Sequence, residues 1–113
     1  MIVFSWSVGP GGTSSTFNIS KHDVTPAEAE HVVRHARPPF PRKIGNDKWQ
    51  AWGRTREGRY LQVIYAEPAE DEIDIDSLSD ADLIAYSDGQ AAVLYVIHAM
   101  DLTDEQKRYV RRR

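Results

Sequence analysis

The spacing of hydrophobic positions changes repeatedly along this chain, and each change marks an element. Ile2 to Val8 alternates apolar and polar side chains, which predicts a first strand, and Gly9-Pro10-Gly11-Gly12 follows as a turn or loose loop. The period then lengthens, so that Ala29, Val32, Val33 and Ala36 fall on one stripe of a short amphipathic helix. Thr25-Pro26-Ala27-Glu28 opens that helix with a capping hydroxyl, a proline at the first helical position and a carboxylate placed to close a capping box. Arg37-Pro38-Pro39-Phe40-Pro41 ends it near Ala36, because proline cannot continue a helix and pushes its predecessor out of the α region.

Alternation returns from Lys48 to Thr55 and from Arg59 to Glu67. Two strands are predicted, joined at Arg56-Glu57-Gly58, with Gly58 supplying the positive φ of a tight hairpin. Residues 67 to 91 read as an insert. Within it Ile73 and Ile75 alternate with Asp74 and Asp76, as in an edge strand blunted by charge, and Ser79 to Tyr86 suits a helical turn. Val93 to Met100 is the most apolar run, suited to a central strand covered on both faces. Thr103 and Gln106 form a second capping box, and the last helix ends in cations, where its dipole favours them. The order predicts one α+β domain over residues 1–113, a central antiparallel sheet with an N-terminal and a C-terminal helix.

Charge divides the chain in two. Glu67 to Asp88 holds nine acidic residues and no Lys or Arg, while the other positions carry all 14 Lys and Arg against 8 acidic residues, a balance of +6. The formal net charge of -3 describes neither part. A basic body is the footprint of a polyanion binder, and the acidic insert is either a shield for it or an ordinary solvated loop. The absence of cysteine excludes a disulfide scaffold, a thiolate nucleophile and a Cys-ligated zinc site, and suits a reducing cytoplasm. The first residues lack the basic and long apolar regions of a signal peptide, and no run approaches the roughly 20 apolar residues that cross a bilayer. A soluble cytoplasmic protein with no membrane contact is expected.

Several side chains could carry chemistry. Arg54 and Arg59 flank the hairpin turn and are expected nearly opposite each other, where a phosphate would relieve the repulsion between two guanidiniums. The competing reading points both into solvent, paired with Glu57 or the insert. His98, expected on one strand face with Leu94, Val96 and Met100, is either a satisfied core residue or a proton carrier. Lys21-His22 precedes the electropositive end of the first helix, where an anion could bind, or packs against Asp23. His31 and His35 stand one helical turn apart, but a metal site needs further ligands that the sequence does not supply, so exposed surface is the better reading. The insert lacks the glycine and ligand spacing of an EF-hand. No metal and no cofactor is expected. Tyr109 is a proton donor, a base-stacking platform or the residue that seats the last helix. Arg111 to Arg113 reads as a tail adding non-specific polyanion affinity. Trp49 and Trp52 fall on different strand faces.

In order, these residues form a more specific pattern: Asn18-x-x-Lys21-His22-x-Val24-Thr25-x-x-Glu28-Ala29-Glu30, then Trp52-Gly53-Arg54-Thr55-x-x-Gly58-Arg59-Tyr60-Leu61-x-Val63, then Tyr95-Val96-Ile97-x-Ala99, then Thr103 to Tyr109. The pattern resembles the BrnT family, small bacterial ribonuclease toxins with a RelE-like fold, over most of residues 17 to 113 apart from the insert. The resemblance implies metal-independent RNA cleavage, neutralisation by a cognate antitoxin that also binds operator DNA, and an active surface built from the sheet and the last helix. On that carry-over Arg54, Arg59, His98 and Tyr109 are the catalytic positions. Lys107 and Arg108, together with Lys21 and His22, would hold RNA. A homodimer or a toxin–antitoxin hetero-oligomer is the expected assembly.

The chain departs from the family at three places. Met100 stands where the family commonly has Arg, Gln106 where it commonly has Glu, and the family's helical Tyr falls about one residue after Tyr109. The acidic insert is also foreign to the pattern. Two expectations follow. Either His98 compensates for the missing ionisable groups and the protein is an endoribonuclease, or it is an inactive toxin-like module that holds a protein partner or nucleic acid.

Overall fold

The hairpin predicted around Gly58 forms the middle of a five-stranded sheet. The computed structural model describes residues 2–5, 23–69, 71, 73 and 75–112. Within them run β1 (Ile2–Ser5), α1 (Pro26–Arg34), β2 (Arg42–Lys43), β3 (Lys48–Arg54) and β4 (Tyr60–Ala66). A 3-10 turn (Ile75–Ser77), α2 (Asp80–Ser87), β5 (Ala92–Asp101) and α3 (Asp104–Arg112) follow. Strands lie in the order β1-β5-β4-β3-β2. The fold is α+β, but its sheet is mixed and not wholly antiparallel as expected. β2 to β5 pair antiparallel, whereas β1 runs parallel to β5, Ile2 beside Ala92. A parallel neighbour cannot be reached by a tight turn, and the chain between β1 and β5 contains α1 and the other three strands.

Both capping boxes form. The Glu28 backbone N–H donates to Thr25 Oγ1 at 3.2 Å while the Thr25 N–H donates to Glu28 Oε1 at 2.9 Å. Thr103 and Gln106 repeat the exchange at 2.9 and 3.2 Å. α1 ends at Arg34 with His35 as its C-cap, slightly before the expected Ala36. Its stripe of Ala29, Val32 and Val33 is buried against Ala51, Leu61, Val63, Leu94, Val96 and Ala99. A fully buried valine contributes about 1.5–3 kcal/mol, so this one interface anchors the fold. Helix and strand touch most closely at Gly53, where an added Cβ would lie 3.2 Å from Val32 Cγ1.

The sheet's two faces are sorted by alternation with one interruption. The β4–β5 register shifts between Ile64 and Tyr65, pairing Ile64 with His98 but Tyr65 with Val96. Ile97 is thus an extra residue in β5. This bulge lets Leu94 and Val96, and then Ala99, all face α1.

The insert differs from its reading. Ile75 lies in the 3-10 turn, 52% exposed, and no strand forms in the described part of the insert. β4, from which the insert emerges, already pairs with β3 and β5, so no neighbouring edge is open to it. The helical turn is a complete α2, capped by Ser79 Oγ, which accepts from the Asp82 N–H, and none of its residues is buried. β1 is described only to Ser5, so the expected continuation to Val8 and the glycine-rich turn lie outside the described residues. Among the described residues, no helix is long and apolar enough to cross a membrane.

Candidate functional site

The hairpin turn decides which arginine goes where. Thr55 N–H donates to the Arg59 carbonyl at 2.8 Å, and Arg59 N–H donates to Thr55 Oγ1 at 3.0 Å. Three residues therefore span the turn, with Gly58 at φ 92°. Arg54 pairs with Tyr60, not with Arg59. The expected Arg54–Arg59 phosphate clamp is thus corrected: one residue of register sends the two side chains to opposite faces of the sheet.

Arg59, on the α1 face, is tied into the fold through all three guanidinium nitrogens. Its Nε and Nη2 donate to the two carboxylate oxygens of Asp101 at 2.7 and 3.1 Å, and Nη1 donates to the Asp23 carbonyl at 2.6 Å. Glu28 lies 3.9 Å away. The hydrogen bond to Asp101 raises the guanidinium pKa further above its ordinary value. Arg59 joins β4, the end of β5 and the approach to α1, a structural hub with each of its three nitrogens bonded within the fold.

Arg54, on the other side, helps to build a cationic site around Tyr60. The Arg54 guanidinium sits 5.8 Å from the centroid of the Tyr60 ring and that of Arg111 5.3 Å from it. The neighbouring Arg111 guanidinium holds the phenol below the usual tyrosine range, and the charges of Arg54 and Lys107 act in the same direction. Among the described residues, no ion pair involves Arg54 or Arg111. Val32, His35, Arg37, Gly53, Arg54, Tyr60, Val110 and Arg111 line an adjoining cleft of about 470 Å³ whose lining contains no carboxylate. α3 is held in place by burial of Val110 and by Tyr109. The Tyr109 ring meets Phe40 and Trp52 edge to face at 6.1 and 5.9 Å, and Trp52 Nε1 donates to Gln62 Oε1 at 2.8 Å.

Of the positions singled out from sequence, Arg54 and Lys107 both act on Tyr60 through their charge, and Arg54 also lines the cleft. Arg108 lies exposed on the same helix. Tyr109 seats α3 on the aromatic pair, the third of its expected roles, while remaining 42% exposed. His98 is corrected: the bulge at Ile97 takes it off the face of Leu94 and Val96 and onto that of Met100 and Gln62, paired with Ile64. Tyr60 lies four residues from Ile64 along β4, about 13 Å at strand rise. Lys21 and His22 lie outside the described residues. Trp49 packs on the α1 core and Trp52 on the opposite face, as their spacing predicts. His31 and His35 stack at 4.2 Å, and burial, with His35 and Arg56 nearby, lowers the His31 pKa. Among the described residues, no group of three or more metal-ligating side chains forms.

Sequence reasoning missed Tyr60 and Arg37, read Arg111 as part of a tail although it lies within α3, and weighed His35 only as half of a metal pair. Tyr60 had a signal, since counting three turn residues from Thr55 to Arg59 places it across from Arg54. The others come together only once α3 is packed. No family model, curated protein or solved structure matches this chain.

Proposed function

We propose that this protein is a metal-independent endoribonuclease, the toxin half of a toxin–antitoxin pair, and that it cleaves RNA at the cleft beside Tyr60. The observation that supports this reading is one phenol whose ring has the Arg54 and Arg111 guanidiniums 5.8 and 5.3 Å from its centroid, in a cleft lined without carboxylates, with its pKa depressed by these cations and Lys107. A scissile phosphate between Arg54 and Arg111 meets two guanidiniums that can accept it in bidentate fashion and stabilise the charge of the transition state. A phenol that ionises early is a base for the 2′-hydroxyl proton as that oxygen attacks phosphorus. The products are a 2′,3′-cyclic phosphate and a 5′-hydroxyl. Arg59, His98 and Tyr109 leave the reaction under this reading, while Lys107 and Arg108 remain RNA contacts. The partners are RNA and a small antitoxin protein, and the compartment is the cytoplasm.

The test is incubation of labelled single-stranded RNA with the protein in EDTA, beside Tyr60→Phe and Arg54→Ala/Arg111→Ala. Each variant is expected to lose at least about tenfold in rate, equivalent to about 1.4 kcal/mol of transition-state stabilisation. Undiminished cleavage by both removes the cleft from the mechanism. The second reading, a non-catalytic binding module, is favoured by Gln106, whose amide is engaged in capping Thr103. It predicts salt-dependent RNA binding through the same cleft without turnover.

A further inference from the structure

We infer that His35 is the proton donor to the leaving group in this cleavage. The inference rests on the RNA-cleaving reading above and supplies a group that reading lacks. Tyr60 removes a proton, but the departing 5′-oxygen needs one, and the guanidiniums around it do not release theirs.

The geometry points to His35. It caps the C-terminus of α1 and lines the same cleft as Arg54, Tyr60 and Arg111. Its ring Nδ1 lies 2.9 Å from the His31 carbonyl oxygen. A carbonyl oxygen only accepts, so Nδ1 carries hydrogen whether the ring is neutral or charged. Nε2 is then the atom that gains and loses a proton. The His31 carbonyl thus sets the tautomer, and the His31 ring, stacked at 4.2 Å and 25°, orients the imidazole plane. A histidine held in this way is prepared for proton transfer in a manner that a mobile surface histidine is not.

The step balances. Phenolate Tyr60 takes the 2′-hydroxyl proton as the 2′-oxygen bonds to phosphorus. The bond from phosphorus to the 5′-oxygen breaks, and that oxygen leaves with the Nε2 proton of imidazolium His35. Cyclic phosphate and 5′-hydroxyl are released, and the two side chains exchange protons with water to reset.

The experiment uses two short RNAs of one sequence, one normal and one with sulfur in place of the bridging 5′-oxygen. A thiolate departs without a proton, so the sulfur substrate does not need the acid. His35→Asn keeps an amide N–H to donate to the His31 carbonyl and removes Nε2. With its melting temperature matching wild type, it is expected to cut the oxygen substrate about 10²–10⁴-fold more slowly. Its cleavage of the sulfur substrate should equal that of wild type. His35→Ala should give the same split. An equal loss on both substrates by the folded Asn variant, or no loss on the oxygen substrate, overturns the assignment. Wild type that cuts neither substrate overturns the RNA reading itself, and the role of His35 with it.

Discussion

Replacing Arg59 separates a structural arginine from a catalytic one. Its guanidinium donates two bonds to Asp101, at 2.7 and 3.1 Å, and one to the Asp23 carbonyl at 2.6 Å. The Arg59 side chain is 28% exposed and that of Asp101 57%, so water screens the pair from one side. That places the ion pair near the upper end for exposed pairs, about 1 kcal/mol, and well below a buried one. The bond to Asp23 adds about 1 kcal/mol more, and it fixes a residue at φ 56° whose conformation is uncommon outside glycine. Arg59→Ala should thus cost about 2 kcal/mol and lower Tm by roughly 8 °C for a domain of this size. Thermal unfolding of Arg59→Ala, Asp101→Ala and the double variant measures the coupling, expected near 1 kcal/mol. RNA cleavage at 25 °C, where the variant is still folded, should persist. An Arg59→Ala protein with unchanged Tm and abolished cleavage would refute the reasoning and return Arg59 to the active site.

Tyrosine absorbance should titrate in separable steps. Tyr60 ionises below the ordinary value of about 10, because the Arg111 guanidinium beside it favours the phenolate, and Tyr65 ionises above it because of its burial and the nearby Glu67. The lowered Tyr60 value means that the fold favours its phenolate. That stabilisation is present above the unfolded pKa and is lost as pH falls through the folded one. Tyr60→Phe should delete the earliest step and Arg111→Ala should move it upward; a titration unchanged in both would disprove the contact. His98→Ala should leave cleavage intact, given the 13 Å or so along β4 that separate it from Tyr60, and a drop beyond tenfold would contradict the bulge-shifted placement. Gly53→Ala should cost about 1–3 kcal/mol by pushing Val32 off β3. Val32→Ala should cost about 2 kcal/mol by leaving a void. The double variant should cost less than the sum, since one change makes room for the other, and strict additivity in urea melts would show that the two do not meet.

Local chemistry was the most legible in the sequence. Thr25 with Glu28, Thr103 with Gln106, and the positive φ of Gly58 each need only residues within a few positions, and each stands as the sequence implies. Register was less so, because it depends on counting. Treating Arg54 and Arg59 as partners misses by one residue, and in a strand that reverses the face of a side chain. The extra Ile97 does the same to His98, and nothing in an unbroken apolar run announces a bulge. The Ile73/Ile75 alternation fits a strand, but a strand needs an open edge, and β4 has neither edge free. The Tyr60 cluster needs α3 laid beside the hairpin, which follows from how Val110 and Tyr109 pack. Arg54 and Lys107 were named from sequence as site residues; the phenol of Tyr60 was not.

The strand order also sets a timetable for folding during synthesis. β2, β3 and β4 can pair with their neighbours as they emerge, but β1, made first, takes β5 as its partner, about 90 residues later. At ordinary translation rates β1 waits roughly 5 to 20 seconds for that edge, with Ile2, Val3 and Phe4 unmatched in the meantime. The cleft is completed later still. Lys107 and Arg111 belong to α3, synthesised after every other described element. A chain halted before α3 can carry the whole sheet, with Arg54 beside Tyr60, and yet lack Lys107 and Arg111. Under the proposed function, the phosphate site is completed only when α3 docks, after the rest of the described fold has been synthesised.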